Sequence, residues 1–145
     1  MWRKNRQAPP SGSSCYGRDI NRNWDIHWSD DGGASTDPCA DDYRGLAAFD
    51  APETERLAAF TNEKANGTVG VKMYMDWHSY SQMFFTPYGF SCSLVPPDDA
   101  ELTALAQGFT TSLKEVYGTS YTYGGSCKTI YKTTGSSDDY AYVVS

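Results

Sequence analysis

Val71 to Gln82, Val-Lys-Met-Tyr-Met-Asp-Trp-His-Ser-Tyr-Ser-Gln, is a mostly apolar run that closes on an aromatic-flanked histidine, His78. Val69, Val71, Met73, Met75 and Trp77 alternate onto one face, and Tyr74 on the other face is apolar enough to be covered as well. That is the pattern of a strand buried in a sheet with helices on its faces. Such a strand implies an α/β fold and leaves His78 at its carboxyl end, where open α/β sheets bind their ligands. A neutral imidazole there can ligate a metal, act as a base or satisfy a buried hydrogen bond. The run by itself does not choose among the three.

The rest of the composition narrows the partners. A chain of 145 residues fits one domain, and its net charge of −6 argues against a nucleic-acid partner. The charge is uneven, however: five of the twelve Lys and Arg residues (Arg3, Lys4, Arg6, Arg18, Arg22) fall in the first 22 positions with a single acid, Asp19. A local anion site is therefore expected there. No run of 18 apolar residues occurs, so no membrane partner is expected, and the basic start Met1 to Arg6 is not followed by the apolar stretch of a signal peptide. Four cysteines without a CxxC, many Tyr, Ser, Thr and Gly residues, and an Asn66-Gly67-Thr68 sequon predict an exported, extracellular protein with disulfides. Four cysteines allow three pairings.

Residues 1–49 lack periodicity and are rich in Pro, Gly, Ser and Asp, so they read as loop with one short ordered piece at Asp19 to Trp24. A first helix is predicted from Asp50 as N-cap, with Glu53 at N3, a buried face of Leu57, Ala58 and Phe60, and an end before Gly67. A strand at Met83 to Thr86 is stopped by Pro87. A second helix is capped by Asp98, buries Leu102, Leu105, Ala106, Phe109, Leu113 and Val116, and ends at Gly118. Tyr121 to Gly125 reads as strand or turn and Ser126 to Ser137 as loop. Ser137 is then the cap of a last helix that begins at Asp138.

Asp19-Ile20-Asn21-Arg22-Asn23-Trp24 with Trp2-Arg3 upstream, His78-Ser79-Tyr80-Ser81-Gln82, Tyr117-Gly118-Thr119-Ser120-Tyr121 and Thr129-Ile130-Tyr131 occur here in the order and spacing of one family. The chain resembles the secreted zinc carboxypeptidases of the pancreatic A/B type, the M14 peptidases. The resemblance implies an α/β fold with part of a mixed, mostly parallel sheet and helices on both faces. It also implies that residues 1–145 are the middle portion of a catalytic domain. By the same resemblance His78 is a zinc ligand and Arg3 polarises the scissile carbonyl. Asn21 and Arg22 bind the substrate's terminal carboxylate, Ser79 and Tyr80 line the groove, and Tyr131 closes over the substrate. Cys15 pairs with Cys39, and Cys92 with Cys127.

By the same resemblance Asp138, seven residues after Tyr131, falls where the family places the floor of its specificity pocket, and an aspartate there resembles the B type and implies preference for C-terminal Lys or Arg. Small Ser126 leaves room in that pocket, while Ser136 and Thr133 stand where the family has glycine and alanine. The family's His-x-x-Glu ligands and its general-base glutamate do not occur in these 145 residues. His27-Trp28-Ser29-Asp30 imitates the ligand spacing, but lies in a loop after the Asn-Arg pair. The expected function is hydrolysis of C-terminal residues from peptides and proteins with one Zn2+ per complete, monomeric domain, the 145-residue chain being inactive alone. The alternative is a non-catalytic module that captures C-terminal carboxylates.

Overall fold

A computed structural model describes all 145 residues, Met1 to Ser145. The chain passes through a 3₁₀ turn (Ile20–Arg22), helix α1 (Pro52–Ala65), strand β1 (Met83–Thr86), helix α2 (Asp99–Tyr117) and strand β2 (Thr122–Gly125). Helices α3 (Ser126–Thr129) and α4 (Ser137–Val144) complete it. β1 and β2 pair in parallel, Met83 opposite Thr122 and Thr86 opposite Gly125. Parallel neighbours need a long crossover, and α2 supplies it, lying against both strands with Phe84 and Phe109 in contact at 5.1 Å between ring centroids. The architecture is thus α/β, as expected.

The core lies between α1, α4 and the segment after the 3₁₀ turn. Trp24, Ala58 and Tyr140 are buried together, with Ile26, Phe49 and Val144 packed around them. Trp24 and Phe49 meet edge to face at 6.2 Å, and Phe49 and Tyr140 likewise at 5.4 Å, an arrangement that suits the ring quadrupoles. α1 approaches this aromatic group through Thr54, Ala58 and Thr61. The expected face of Leu57 and Phe60 instead points to solvent, because only short side chains fit beneath Trp24 and Tyr140. On α2 the buried line is Ala106 and Thr110, with Leu102, Phe109 and Leu113 partly covered, while Leu105 and Val116 are exposed.

Two expected helix caps are used for tertiary bonds instead. Asp50 does not cap α1, whose N-cap is Ala51. Its carboxylate accepts from Arg18 Nε at 3.0 Å, Asn23 Nδ2 at 2.9 Å and the Leu46 amide at 2.9 Å. The buried Arg18 guanidinium needs a counter-ion more than a helix end needs a cap. Asp98 sits at the N-cap of α2 without a capping bond and accepts the Tyr142 hydroxyl from α4. The C-terminus of α2 follows expectation, with Gly118 left-handed at φ 74°.

Three further differences concern the site. The run at residues 71–82 is not a ladder strand: residues 68–81 make no backbone–backbone hydrogen bond, and Val69, Met73 and Trp77 are exposed. A strand exists only where a neighbour completes its ladder, and no segment of these 145 residues pairs its backbone with this one. The stretch expected as loop, Ser126 to Ser137, contains α3. Helix α4 begins one residue early, with Ser136 at the N-cap, which frees the Ser137 side chain for another role. Both disulfides, Cys15–Cys39 and Cys92–Cys127, are formed, and Asn66 of the sequon lies exposed at the end of α1.

Candidate functional site

Asp19 organises the amino-terminal half of the site. It is buried; one carboxylate oxygen accepts the Asn21 amide at 3.1 Å and caps the 3₁₀ turn, and the other accepts Arg3 Nε at 2.6 Å. The segment that carries Arg3 is held alongside by Asn5, whose amide donates to Arg18 O at 3.0 Å and whose Oδ1 accepts the Arg18 amide at 2.9 Å. Burial opposes the charge on Arg3, but the bond and field of Asp19 outweigh it and raise its pKa further. Arg3 is a fixed cation, not a solvated one.

Arg22 follows from the same turn and is 5 % exposed. Its Nη1 donates to Asn21 O at 2.6 Å, its Nε is buried without a partner, and none of the ion pairs in the structure includes it. Gly135, at φ 65°, backs it from the loop before α4. A Cβ there would meet Arg22 O at 2.5 Å, so only glycine lets that loop approach. A buried guanidinium without an anion is costly, by several kcal/mol in order of magnitude. Its natural complement is a planar anion that it can hold with two hydrogen bonds. Arg22, Arg3 and Tyr131 line one open cleft of about 650 Å³ together with Lys132, Asp41, Asp42 and the Gly32–Ser35 loop. Tyr131 is itself 55 % exposed.

Beside this cleft, Asn21 joins His78 to α4. Its Oδ1 accepts the Ser137 amide at 2.7 Å, which sets the amide's orientation and turns Nδ2 toward His78 Nε2 at 3.1 Å. Asp76 Oδ2 lies 2.9 Å from the same ring nitrogen and accepts the Ser137 hydroxyl at 2.5 Å. A single ring nitrogen cannot both accept from Asn21 and donate to Asp76. The carboxylate can only accept, and a charge-assisted bond is the stronger, so we assign the proton to Nε2. One N–H of Asn21, next to Arg22, is then left for another acceptor. The Asp76 bond raises the His78 pKa against burial. Burial likewise opposes the charge of Asp76, and the bonds from His78 and Ser137 overcome it and lower its pKa.

Asp138 and Asp139 open α4. Asp138 is half-buried, and its field reaches both His78 and Asp139. Asp139 is fully buried and accepts the Gly89 and Phe90 amides at 3.0 Å. Burial and Asp138 push its carboxyl up to about 6. Ser126 and Thr133, both buried, close around Gly89 beside Asp139. Ser79 and Tyr80 are not among the cleft residues; both are exposed, Tyr80 to 88 %. His27 stacks on Phe90 at 3.8 Å and pairs with Asp30 at 2.8 Å, away from His78's partners.

Asp76, Ser137 and Asp19 were missed as site residues from sequence. Asp76 had a signal: in an extended segment residues two apart share a face, so Asp-x-His puts a carboxylate beside the imidazole. As to a metal, no group of three His, Cys, Asp or Glu side chains is assembled here. His78 Nδ1, without a hydrogen-bond partner, fits one ligand position. The fit goes no further than that one donor.

The zinc carboxypeptidase family, peptidase M14, matches residues 1–145. A metallocarboxypeptidase A-like protein of Trichophyton verrucosum is 50% identical over 140 residues, 97% of this chain and 32% of that protein. Carboxypeptidase B of Bos taurus is 44% identical over 142 residues, 98% of this chain and 33% of its own length. The chain therefore spans about a third of these curated relatives. The structure of bovine thrombin-activatable fibrinolysis inhibitor in complex with tick carboxypeptidase inhibitor superposes with a TM-score of 0.90 at 33% identity, over 99% of this chain and 47% of that one.

Proposed function

Because the chain belongs to the zinc carboxypeptidase family, peptidase M14, we propose that the protein it represents removes C-terminal residues from peptides and proteins, and that residues 1–145 are the middle portion of its catalytic domain. The observation that carries this reading is the buried, unanswered guanidinium of Arg22 in a cleft shared with Arg3 and Tyr131. Arg22 and the free N–H of Asn21 hold the substrate's terminal carboxylate, each charge-assisted bond contributing roughly 1.5 to 3 kcal/mol. Arg3, held by Asp19, faces the scissile carbonyl and stabilises its developing charge, commonly about 3 kcal/mol per donor. Tyr131 closes over the bound end, Ser79 and Tyr80 line the groove beyond it, and Asp138 selects Lys or Arg. His78 is one ligand of a zinc ion. When bound, that ion supplies Lewis-acid polarisation and an activated water. Two disulfides suit an oxidising compartment, and we assign the protein to the extracellular space as a monomer.

The test is the complete protein on matched peptides with free and amidated C-termini, with Arg22→Met alongside. We expect amidation, and separately the substitution, to lower kcat/KM by about 100-fold or more, and amidation to matter little once Arg22 is gone. Equal cleavage of free and amidated peptides would overturn the assignment. A second reading, a module that captures carboxylate ends without cleaving them, draws on the observation that no three His, Cys, Asp or Glu side chains come together among these residues. Saturable binding of the free-ended peptide with no product released would select it.

A further inference from the structure

We propose that Asp76 is the positioning residue for His78, holding the imidazole as its Nε2–H tautomer with Nδ1 turned outward, and that Ser137 anchors this arrangement to the first turn of α4. The backbone cannot do this. Residues 68–81 form no backbone–backbone hydrogen bond, so the direction of the ring is set by its side-chain bond to Asp76. Asp76 does not act from a loose position either, because its Oδ2 also accepts the hydroxyl of Ser137. Ser137 is buried, and its amide is held by Asn21 Oδ1. His78 bonds to Asp76, Asp76 to the Ser137 hydroxyl, and the Ser137 amide to Asn21 Oδ1, one chain of bonds that runs from the imidazole through the first turn of the helix that carries Asp138 to the turn that carries Arg22.

The consequence is chemical selectivity at the ring. With Nε2 protonated toward a carboxylate, the one lone pair left to a divalent cation is on Nδ1, and the carboxylate raises its basicity. The Asp76–Ser137 bond also joins the first turn of the Asp138 helix to the imidazole, so a shift of α4 is felt at His78. The tautomer assignment stands on geometry alone; its effect on metal affinity rests on the reading of His78 as a ligand.

The experiment uses the complete protein, stripped of metal and ¹⁵N-labelled at histidine, at a pH where the imidazole is neutral, with His78→Gln to assign the signal. The expected spectrum shows Nε2 as the protonated nitrogen and Nδ1 as the unprotonated one. Asp76→Ala moves both resonances toward the average of two tautomers. Ser137→Ala, which keeps the carboxylate and loses its anchor, moves them part of the way. The Asp76 side chain is partly covered but is not among the buried core residues, so its substitution leaves the core intact. A protonated Nδ1 in the wild type, or resonances unmoved in Asp76→Ala, would overturn the proposal. Chelator competition then reads zinc affinity, expected to weaken by about 10- to 100-fold in Asp76→Ala. Resonances that move while zinc affinity stays constant would uphold the positioning of the ring and refute the ligand role of His78.

Discussion

Asp138 and Asp139 are adjacent carboxylates with different surroundings, and each leads to its own prediction. Asp138 is half-buried in the first turn of α4, and a carboxylate so placed pairs with a guanidinium or ammonium and repels apolar groups by leaving a charge unanswered. The complete enzyme is expected to release C-terminal Arg or Lys at least about 100-fold faster than Phe or Leu in kcat/KM, and Asp138→Leu to reverse the order. Faster release of Phe or Leu by the wild type would remove Asp138 from the pocket. Asp139 is sealed from water, and its carboxyl is raised from 3.8 to about 6 by burial and by Asp138. A raised acid binds more protons folded than unfolded between those values. Its stabilising contribution is therefore full at and below about pH 4 and is lost as pH rises through about 6. The change is on the order of 3 kcal/mol at most. Urea titrations of the complete protein at intervals across that range check it: Asp139→Asn should flatten the fall in midpoint that the wild type shows.

At the scale of elements, Asn23 ties the 3₁₀ turn to α1. It is fully buried; its Nδ2 donates to Arg44 O at 2.7 Å, Ala47 O at 3.0 Å and Asp50 Oδ1 at 2.9 Å. Its Oδ1 accepts the Ala51 amide at 3.0 Å and Thr54 Oγ1 at 2.7 Å. Removing that amide strands several buried groups at about 1 to 3 kcal/mol each, so Asn23→Ala should cost 3 kcal/mol or more, in order of magnitude, by denaturant unfolding. Loss of the Cys15–Cys39 bridge, which closes 24 residues, is expected to cost about 3 kcal/mol through the freedom it restores to the unfolded chain. Here the sequence was readable in part. Gly118, Pro52 and Pro87 mark element ends because their constraints are local. Asp50 and Asp98 looked like caps, yet Arg18 and Tyr142 claim them, and partners far away in sequence leave no local trace.

For the whole molecule, the deciding fact is that His78 stands on a segment without a ladder, between exposed Trp77 and Tyr80. The isolated 145-residue chain is accordingly expected to retain no stoichiometric zinc after dialysis and to hydrolyse no peptide, since a catalytic zinc takes three protein ligands. One equivalent of retained zinc with turnover would contradict this. The bare apolar side chains Val69, Met73 and Trp77 should also make that chain self-associate, which sedimentation would reveal. The family resemblance that motif order carries implied the α/β class and the two cysteine pairs, and both are present; Arg3, Arg22 and Tyr131, singled out by the same resemblance, line one cleft. Alternation alone made residues 71–82 a strand, but a strand needs a neighbour's hydrogen bonds, which are not a property of the strand's own sequence. Only the tertiary structure could bury Arg22 at a cleft without an ion pair of its own. Only it could set Asp76, Ser137 and Asn21 around one imidazole, since these contacts span up to 116 positions of chain and depend on how α4 packs against the 3₁₀ turn.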